Sequence, residues 1–255
     1  PLRRRRVGFF LAATGQHHPH NGAGRVAVYS GRMVSRSQPA PVSQNPMLVT
    51  AFEPFGGERV NPSAAALHAL RGRSVAGHPL VTSVLPVSFA ASLPKLRRLV
   101  LRHRPCLVLC LGQAGGRANL SIERIAVNVQ DARIPDNTAA QPIDEPVEPG
   151  GPAAYFSTLP IKAMHAALRD HGLPGEVSNT AGTFVCNHVF YGLIHLLATE
   201  PSLAHTRGGF MHLPWLPGQG EPSLPLAALT EGIAIALLAA ATHATDPKLG
   251  AGHTH

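Results

Sequence analysis

Acidic residues are missing from the first 46 positions of this 255-residue chain, and cysteine, tryptophan and tyrosine are scarce throughout it. Three cysteines are too few, and odd in number, for a disulfide framework, and that usage suits a reducing compartment. Two of them, Cys106 and Cys110, stand four apart in CLVLCLG, an apolar run that reads as a buried strand. At about 3.3 Å per residue their Cα atoms are roughly 13 Å apart, too far for a bond between them. No CxxC or comparable spacing of metal ligands occurs, so no metal site is expected. Neither GxGxxG nor GxxxxGK[ST] is present, which removes the usual phosphate cradles. No apolar run approaches the ~18 uncharged residues of a membrane span, the longest being the ten Ala-rich residues Gly232 to Ala241.

Charge is present but uneven. Residues 1–46 hold seven of the 22 basic residues and none of the 14 acidic ones, which leaves fifteen against fourteen in the remainder. The formal charge of +8 therefore belongs almost wholly to the leading segment, and the body offers no basic face interleaved with aromatics for nucleic acid. Arg3–Arg6 followed by Val7–Ala13 has the order of a secretory leader, but seven residues is the lower limit for the apolar part and Gly8 interrupts it. The reading adopted is a basic, disordered extension over 1–46, a body over 47–245 and a flexible tail over 246–255.

Along the body, β-branched runs alternate with helical patterns. Strands are expected at Met47–Phe52, Leu80–Leu85, Cys106–Gly112, Ile125–Val129, Glu176–Asn179 and Gly209–His212. Helices are expected at Pro62–Arg71, with Asn61 as N-cap, at Phe89–His103, at Ile161–His171, after Thr183, and at Pro225–Thr242. That alternation predicts an α/β fold, a single-domain three-layer α/β/α sandwich around a mostly parallel, mixed sheet. Loops at the carboxyl ends of such strands are where ligands bind. The long Pro-, Gly- and acid-rich stretch 131–160 reads as a functional or disordered loop.

Cys186, in GTFVCNHVFYG, falls at the first turn of an apolar helix. Unpaired amides there favour a thiolate, so a lowered thiol pKa is expected; the alternative is a small buried hydrophobe. A thiol nucleophile needs a histidine base from elsewhere in the chain. His212 ends an apolar strand before a pair of prolines, whereas His188 lies only two residues past Cys186 and points to another face of the helix.

Six motifs then occur in a familiar order: FEPFGG at 52–57 with NPS at 61–63, GQAGGR at 112–117, ERIAVNVQDARIPDN at 123–137, GGPAAYFSTLP at 150–160, TAGTFVCNHVFYGL at 180–193 and GGFMHLPWLP at 208–217. The body resembles the type I pyroglutamyl peptidases, which are cysteine peptidases. The resemblance implies Cys186 as nucleophile, His212 as base and Glu123 as the group that orients the imidazole. It further implies Arg133 as an oxyanion donor, and Phe52, Phe55, Phe184 and Val185 around the pyroglutamyl ring. Asn61 and Gln113 would brace the loops, with Ile134 beside them. Glu123 considered alone between Ile122 and Arg124 would read as a solvated charge. The implied substrates are N-terminally pyroglutamylated peptides, with no cofactor, a homo-oligomer (dimer or tetramer), a cytoplasmic location and neither membrane nor nucleic acid as partner of the body. Two residues depart from the family pattern: Ala51 stands where glycine is usual, which would bring a Cβ toward the ring slot, and Asn179 stands where tyrosine is frequent. Rival readings are another small-amide or ester thiol hydrolase using the same three residues, and a non-enzymatic module that holds polyanions through its basic extension.

Deletion of residues 1–46 is expected to leave both melting temperature and hydrolysis of a pyroglutamyl reporter nearly unchanged, since so Arg-, Pro- and Gly-rich a segment has little apolar surface to bury. A fall in melting temperature of several degrees would show that Val7–Leu11 docks on the body.

Overall fold

The computed structural model describes residues 45–252. The expected extension therefore lies outside the described residues, apart from Asn45 and Pro46, which lead into the first strand. In chain order the elements are β1 (Met47–Phe52), α1 (Pro62–Leu70), β2 (Ser74–Val75), β3 (His78–Leu85), α2 (Ser92–His103), β4 (Leu107–Gln113), β5 (Leu120–Glu123), β6 (Ile125–Val127), β7 (Ala154–Phe156), α3 (Ile161–Asp170), β8 (Gly175–Ser178), α4 (Val185–Thr199), β9 (Arg207–Leu213) and α5 (Leu226–Thr242).

Seven strands form one sheet in the order β2-β3-β1-β4-β9-β5-β8, while β6 and β7 make a separate antiparallel ribbon. Strands β3, β1, β4 and β9 run parallel; β5 is antiparallel to β9, and β8 is parallel to β5. The period-2 alternation of β4 divides the core into two layers. Leu107, Leu109 and Leu111 pack with α1, α3 and α5, whereas Val108 and Cys110 pack with α2 and α4. A strand covered on both faces reads as a continuous apolar run, which is why β4 was legible in the sequence. The α/β class and mixed sheet match the expectation.

Three details differ from it. Leu120–Glu123 is a strand that the sequence reading left unassigned, and Ser74–Val75 forms a short antiparallel pair with β3. Helix α2 begins at Ser92, not Phe89, because the Phe89 amide donates to the buried Asp136 carboxylate instead of entering the helix. Although burial works against its charge, that amide, the Thr138 hydroxyl and the amides of Ala140 and Thr138 hold the Asp136 carboxyl below its usual range. The 131–160 stretch is thereby anchored, and Asn137 Nδ2 adds bonds to Glu53 Oε1 and Pro54 O of the loop after β1. At the other end, Asp246 accepts from the Lys162 and Ala163 amides at the start of α3, and the Ala251 carbonyl accepts from Arg124. These tethers fall beyond the boundary drawn at 245; residues 253–255 lie outside the described residues.

The turn from β1 into α1 is set by Asn61, which is buried. Its Oδ1 accepts from the Ser63 amide as the N-cap, and its Nδ2 donates to the Glu53 carbonyl. Asn61→Ala is expected to lower stability in urea unfolding by about 1–3 kcal/mol, the sum of a lost cap and a carbonyl left without its donor. An unchanged midpoint would show that water replaces both bonds without cost.

Candidate active site

Side-chain alternation along β9 places Phe210 and His212 on the α4 side of the sheet and Met211 and Leu213 on the other. Gly112 of β4 is the direct partner of His212 in the parallel ladder. Lacking a Cβ, it leaves a notch on that face. A methyl group there would lie 2.9 Å from Cys186 Sγ and 2.8 Å from Phe210 Cζ. The Cys186 sulfur thus occupies the notch, on the same face as His212 and one strand spacing, about 4.8 Å, to its side.

Glu123 reaches this face from β5. Ser121 pairs with His212 and Ile122 with Met211, so Glu123 is the diagonal neighbour of His212, within reach of a long side chain. His212 Nδ1 and Glu123 Oε1 are 2.7 Å apart; the imidazole is 4% exposed and the carboxylate 0%. Facing a carboxylate acceptor, Nδ1 is the protonated nitrogen, which leaves Nε2 outside this bond. Arg117, in the loop between β4 and β5, donates through Nη1 to the same Oε1 at 2.7 Å, and through Nη2 to the Thr180 carbonyl at 3.0 Å. Glu123 Oε2 is buried without a partner.

Cys186 is the second residue of α4 and follows Phe184 in extended conformation (φ −91°, ψ −165°), with no side-chain cap. The first amides of the helix have no carbonyl one turn ahead, so they remain open to an incoming oxygen. Two ties hold this segment. Thr183 and Asp131 exchange hydrogen bonds, and the Asn187 side chain accepts from Val127 N while donating to the Val127 and Val129 carbonyls. Because β5 and β8 run against β9, the Thr180–Thr183 loop leaves β8 at the sheet edge opposite the carboxyl ends of β1, β4 and β9. Cys186 therefore does not arrive by the route expected from a parallel sheet.

The expected lowering of the thiol pKa is overturned. Burial pushes the half-buried Cys186 thiol up to about 12, and the nearby Glu123 carboxylate adds to the rise, with Arg117 opposing it. Desolvation and a like charge thus favour the thiol form. His188 is not a rival base: burial pushes its imidazole down to about 4, and the ring stands edge-on to Phe89 at 5.4 Å.

Phe52, Phe55, Gln113, Phe184 and Val185 line a slot against Cys186, together with Val87. Phe55 and Phe184 face each other at 6.0 Å, and Phe52 forms the floor against Phe210 at 6.4 Å. The free volume is about 10 Å³, room for one water. Gln113 does not brace a loop as expected; its side-chain oxygen is buried there without a partner. Asn61 does brace one, from behind. Ile134 packs over the Phe55–Gly56 turn, and Arg133 is exposed on the loop beside it. Ala51 faces α1 on the opposite side of the sheet, so its Cβ leaves the slot untouched, and Asn179 is bonded to Arg124 beyond β8. A wider groove of about 720 Å³ between α1 and α5 is lined by no thiol or imidazole and lies across the sheet from this site.

Sequence reasoning passed over Gly112, Arg117 and Asn187. All three stand within the quoted motifs, but a glycine's missing Cβ and an arginine's target are tertiary properties that spacing does not reveal.

Known proteins resemble this chain over nearly all of its described residues. The family model for pyroglutamyl peptidases matches residues 45–243. A pyrrolidone-carboxylate peptidase of Streptomyces coelicolor is 55% identical over 216 residues, and one of Klebsiella pneumoniae 51% over 214, each alignment covering 82% of this chain and 99% of the relative. Among solved structures, pyroglutamyl peptidase I of Bacillus amyloliquefaciens superposes with a TM-score of 0.78 at 43% identity, covering 81% of this chain and all of that one. The pyrrolidone carboxyl peptidase of Thermococcus litoralis gives 0.74 at 36%, covering 78% and 94%.

Gly112→Ala is expected to fold while lowering activity by about a hundredfold, because the added methyl displaces the sulfur from its notch. Wild-type turnover in a folded variant, confirmed by circular dichroism, would show that the notch does not position Cys186.

Proposed function

The chain belongs to the pyroglutamyl peptidase family and is a cysteine-type peptidase that removes N-terminal pyroglutamyl residues; we propose that Cys186, His212 and Glu123 perform this reaction as a triad. The observation that carries the assignment is the 2.7 Å bond from His212 Nδ1 to Glu123 Oε1, which leaves Nε2 available on the sheet face where the Cys186 sulfur is seated over Gly112.

Since Cys186 rests as a thiol, its proton passes to His212 Nε2 as the Sγ–C bond forms on the pyroglutamyl carbonyl. Glu123 stabilises the imidazolium. The Cys186 amide at the start of α4 and Arg133, whose loop is tied to Thr183 through Asp131, receive the oxyanion. Collapse breaks the C–N bond, and the proton on Nε2 goes to the departing amine. Water then gives a proton to His212 and its hydroxyl to the acyl carbon, the C–S bond breaks, and the thiol recovers its proton with release of pyroglutamate.

Selectivity follows from what lines the slot. Pyroglutamate is a neutral lactam, and no carboxylate lines the slot to hold a free α-ammonium. The unpartnered Gln113 oxygen is suited to accept the lactam N–H. A free volume of about 10 Å³ cannot admit the ring, so the Phe55 loop or the Phe184 side chain moves outward on binding. Three unpaired cysteines suit the cytoplasm, and among the described residues no helix is long and apolar enough to cross a membrane. The working assembly is read as a homo-oligomer, dimer or tetramer, on the family pattern.

With a pyroglutamyl fluorogenic amide, Cys186→Ser and His212→Ala are each expected to lose at least about a thousandfold in kcat/KM, and Glu123→Gln less, because a neutral amide still orients the imidazole. Near-normal turnover in either of the first two variants sinks the triad. Preference for an acyl or prolyl reporter over the pyroglutamyl one would assign the same triad to a different substrate.

A further inference from the structure

We propose that Arg117 is a positioning residue for the reaction: by neutralising the buried Glu123 carboxylate it keeps His212 free to accept the Cys186 proton. This rests on the triad described above. Glu123 is completely buried, while the Arg117 side chain is 28% exposed, so the guanidinium is the solvent-facing end of a chain of contacts running Arg117–Glu123–His212. Arg117 and His212 meet the same oxygen, Oε1, each at 2.7 Å.

Charge counting gives the role. With Arg117 in place, arginine cation, carboxylate, neutral imidazole and thiol sum to zero, and so do the same groups after the proton has moved and the oxyanion has formed. Without it, the resting site carries one uncompensated negative charge in a buried setting. Such a site relieves the charge by binding a proton, and the imidazole bonded to the carboxylate is where that proton goes. An imidazolium cannot receive the thiol proton. Arg117 also acts on the nucleophile directly, as the one cation among the charges that shift the Cys186 thiol. Its second bond, to Thr180 O, ties the segment before Cys186 to the acid. The other groups near the cluster do not replace it: Glu176 on β8 bonds Ser121 and is itself acidic, Cys110 on β4 is a buried thiol, and the Ser178 hydroxyl on β8 is neutral.

The test is the pH profile of kcat/KM for the full chain acting on a pyroglutamyl fluorogenic amide. In Arg117→Gln and Arg117→Met the acid limb should move to higher pH by about one unit or more, because loss of a neighbouring like charge favours the imidazolium. On that limb each unit is a tenfold loss, recovered as pH rises. Arg117→Lys, which keeps the charge, should return the limb toward its wild-type position. An unshifted limb in the folded Gln and Met variants overturns the role, as does a Lys variant shifted as far as Met. Equal loss at every pH with no displacement would leave Arg117 a structural tie and likewise overturn it. His212→Ala, run alongside, separates the two claims: if it retains activity, the triad itself is wrong, and if it is inactive while the Arg117 profiles are unshifted, the failure belongs to Arg117 alone.

Discussion

A fully buried carboxylate organises this molecule. Glu123 sits in the interior of a sheet covered on both faces, where an ionised group is tolerated only against compensating partners. Its partners come from different parts of the chain, His212 from the neighbouring strand and Arg117 from the loop that precedes its own. Each contact constrains the others. The β5–β9 register must set Glu123 diagonal to His212, and the 114–119 loop must fold back far enough to bring a guanidinium to the same oxygen.

The reversal of strand direction at β5 is what makes this possible. In an all-parallel sheet the residues at strand ends would gather at one edge, and acid, base and nucleophile would all hang from loops. Here Glu123 and His212 are strand residues, and Cys186 enters from a helix laid across the same face. The slot draws on every kind of element: Phe52 from β1, Gln113 from β4 and Val185 from α4, with Phe55, Val87 and Phe184 from loops.

Much of this was legible in the residues. Continuous apolar runs marked β1, β4 and β9, and Asn61-Pro62 marked the start of α1. Cys186 and His212 stood out because polar side chains at the ends of apolar elements need a reason. Glu123 did not, since a four-residue strand, Leu-Ser-Ile-Glu, looks like surface until its polar face is known to meet another polar face. The alternation of Ser121 and Glu123 carried the signal, but it could be read only with β9 beside it. The thiol expectation failed for a different reason: the helix start was visible in sequence, whereas the depth of burial and the nearby carboxylate that outweigh it were not. Ala51 likewise looked like an intrusion until strand alternation assigned it to the far layer.

The seat over Gly112 has a consequence of size. A recess formed by one absent methyl group, with the Phe210 ring at its rim, is matched to an atom with the radius and bond length of sulfur. An oxygen on the same backbone would hang shorter and fill the recess less completely. On the role proposed for Cys186, the recess therefore favours sulfur over the shorter-bonded oxygen by shape alone.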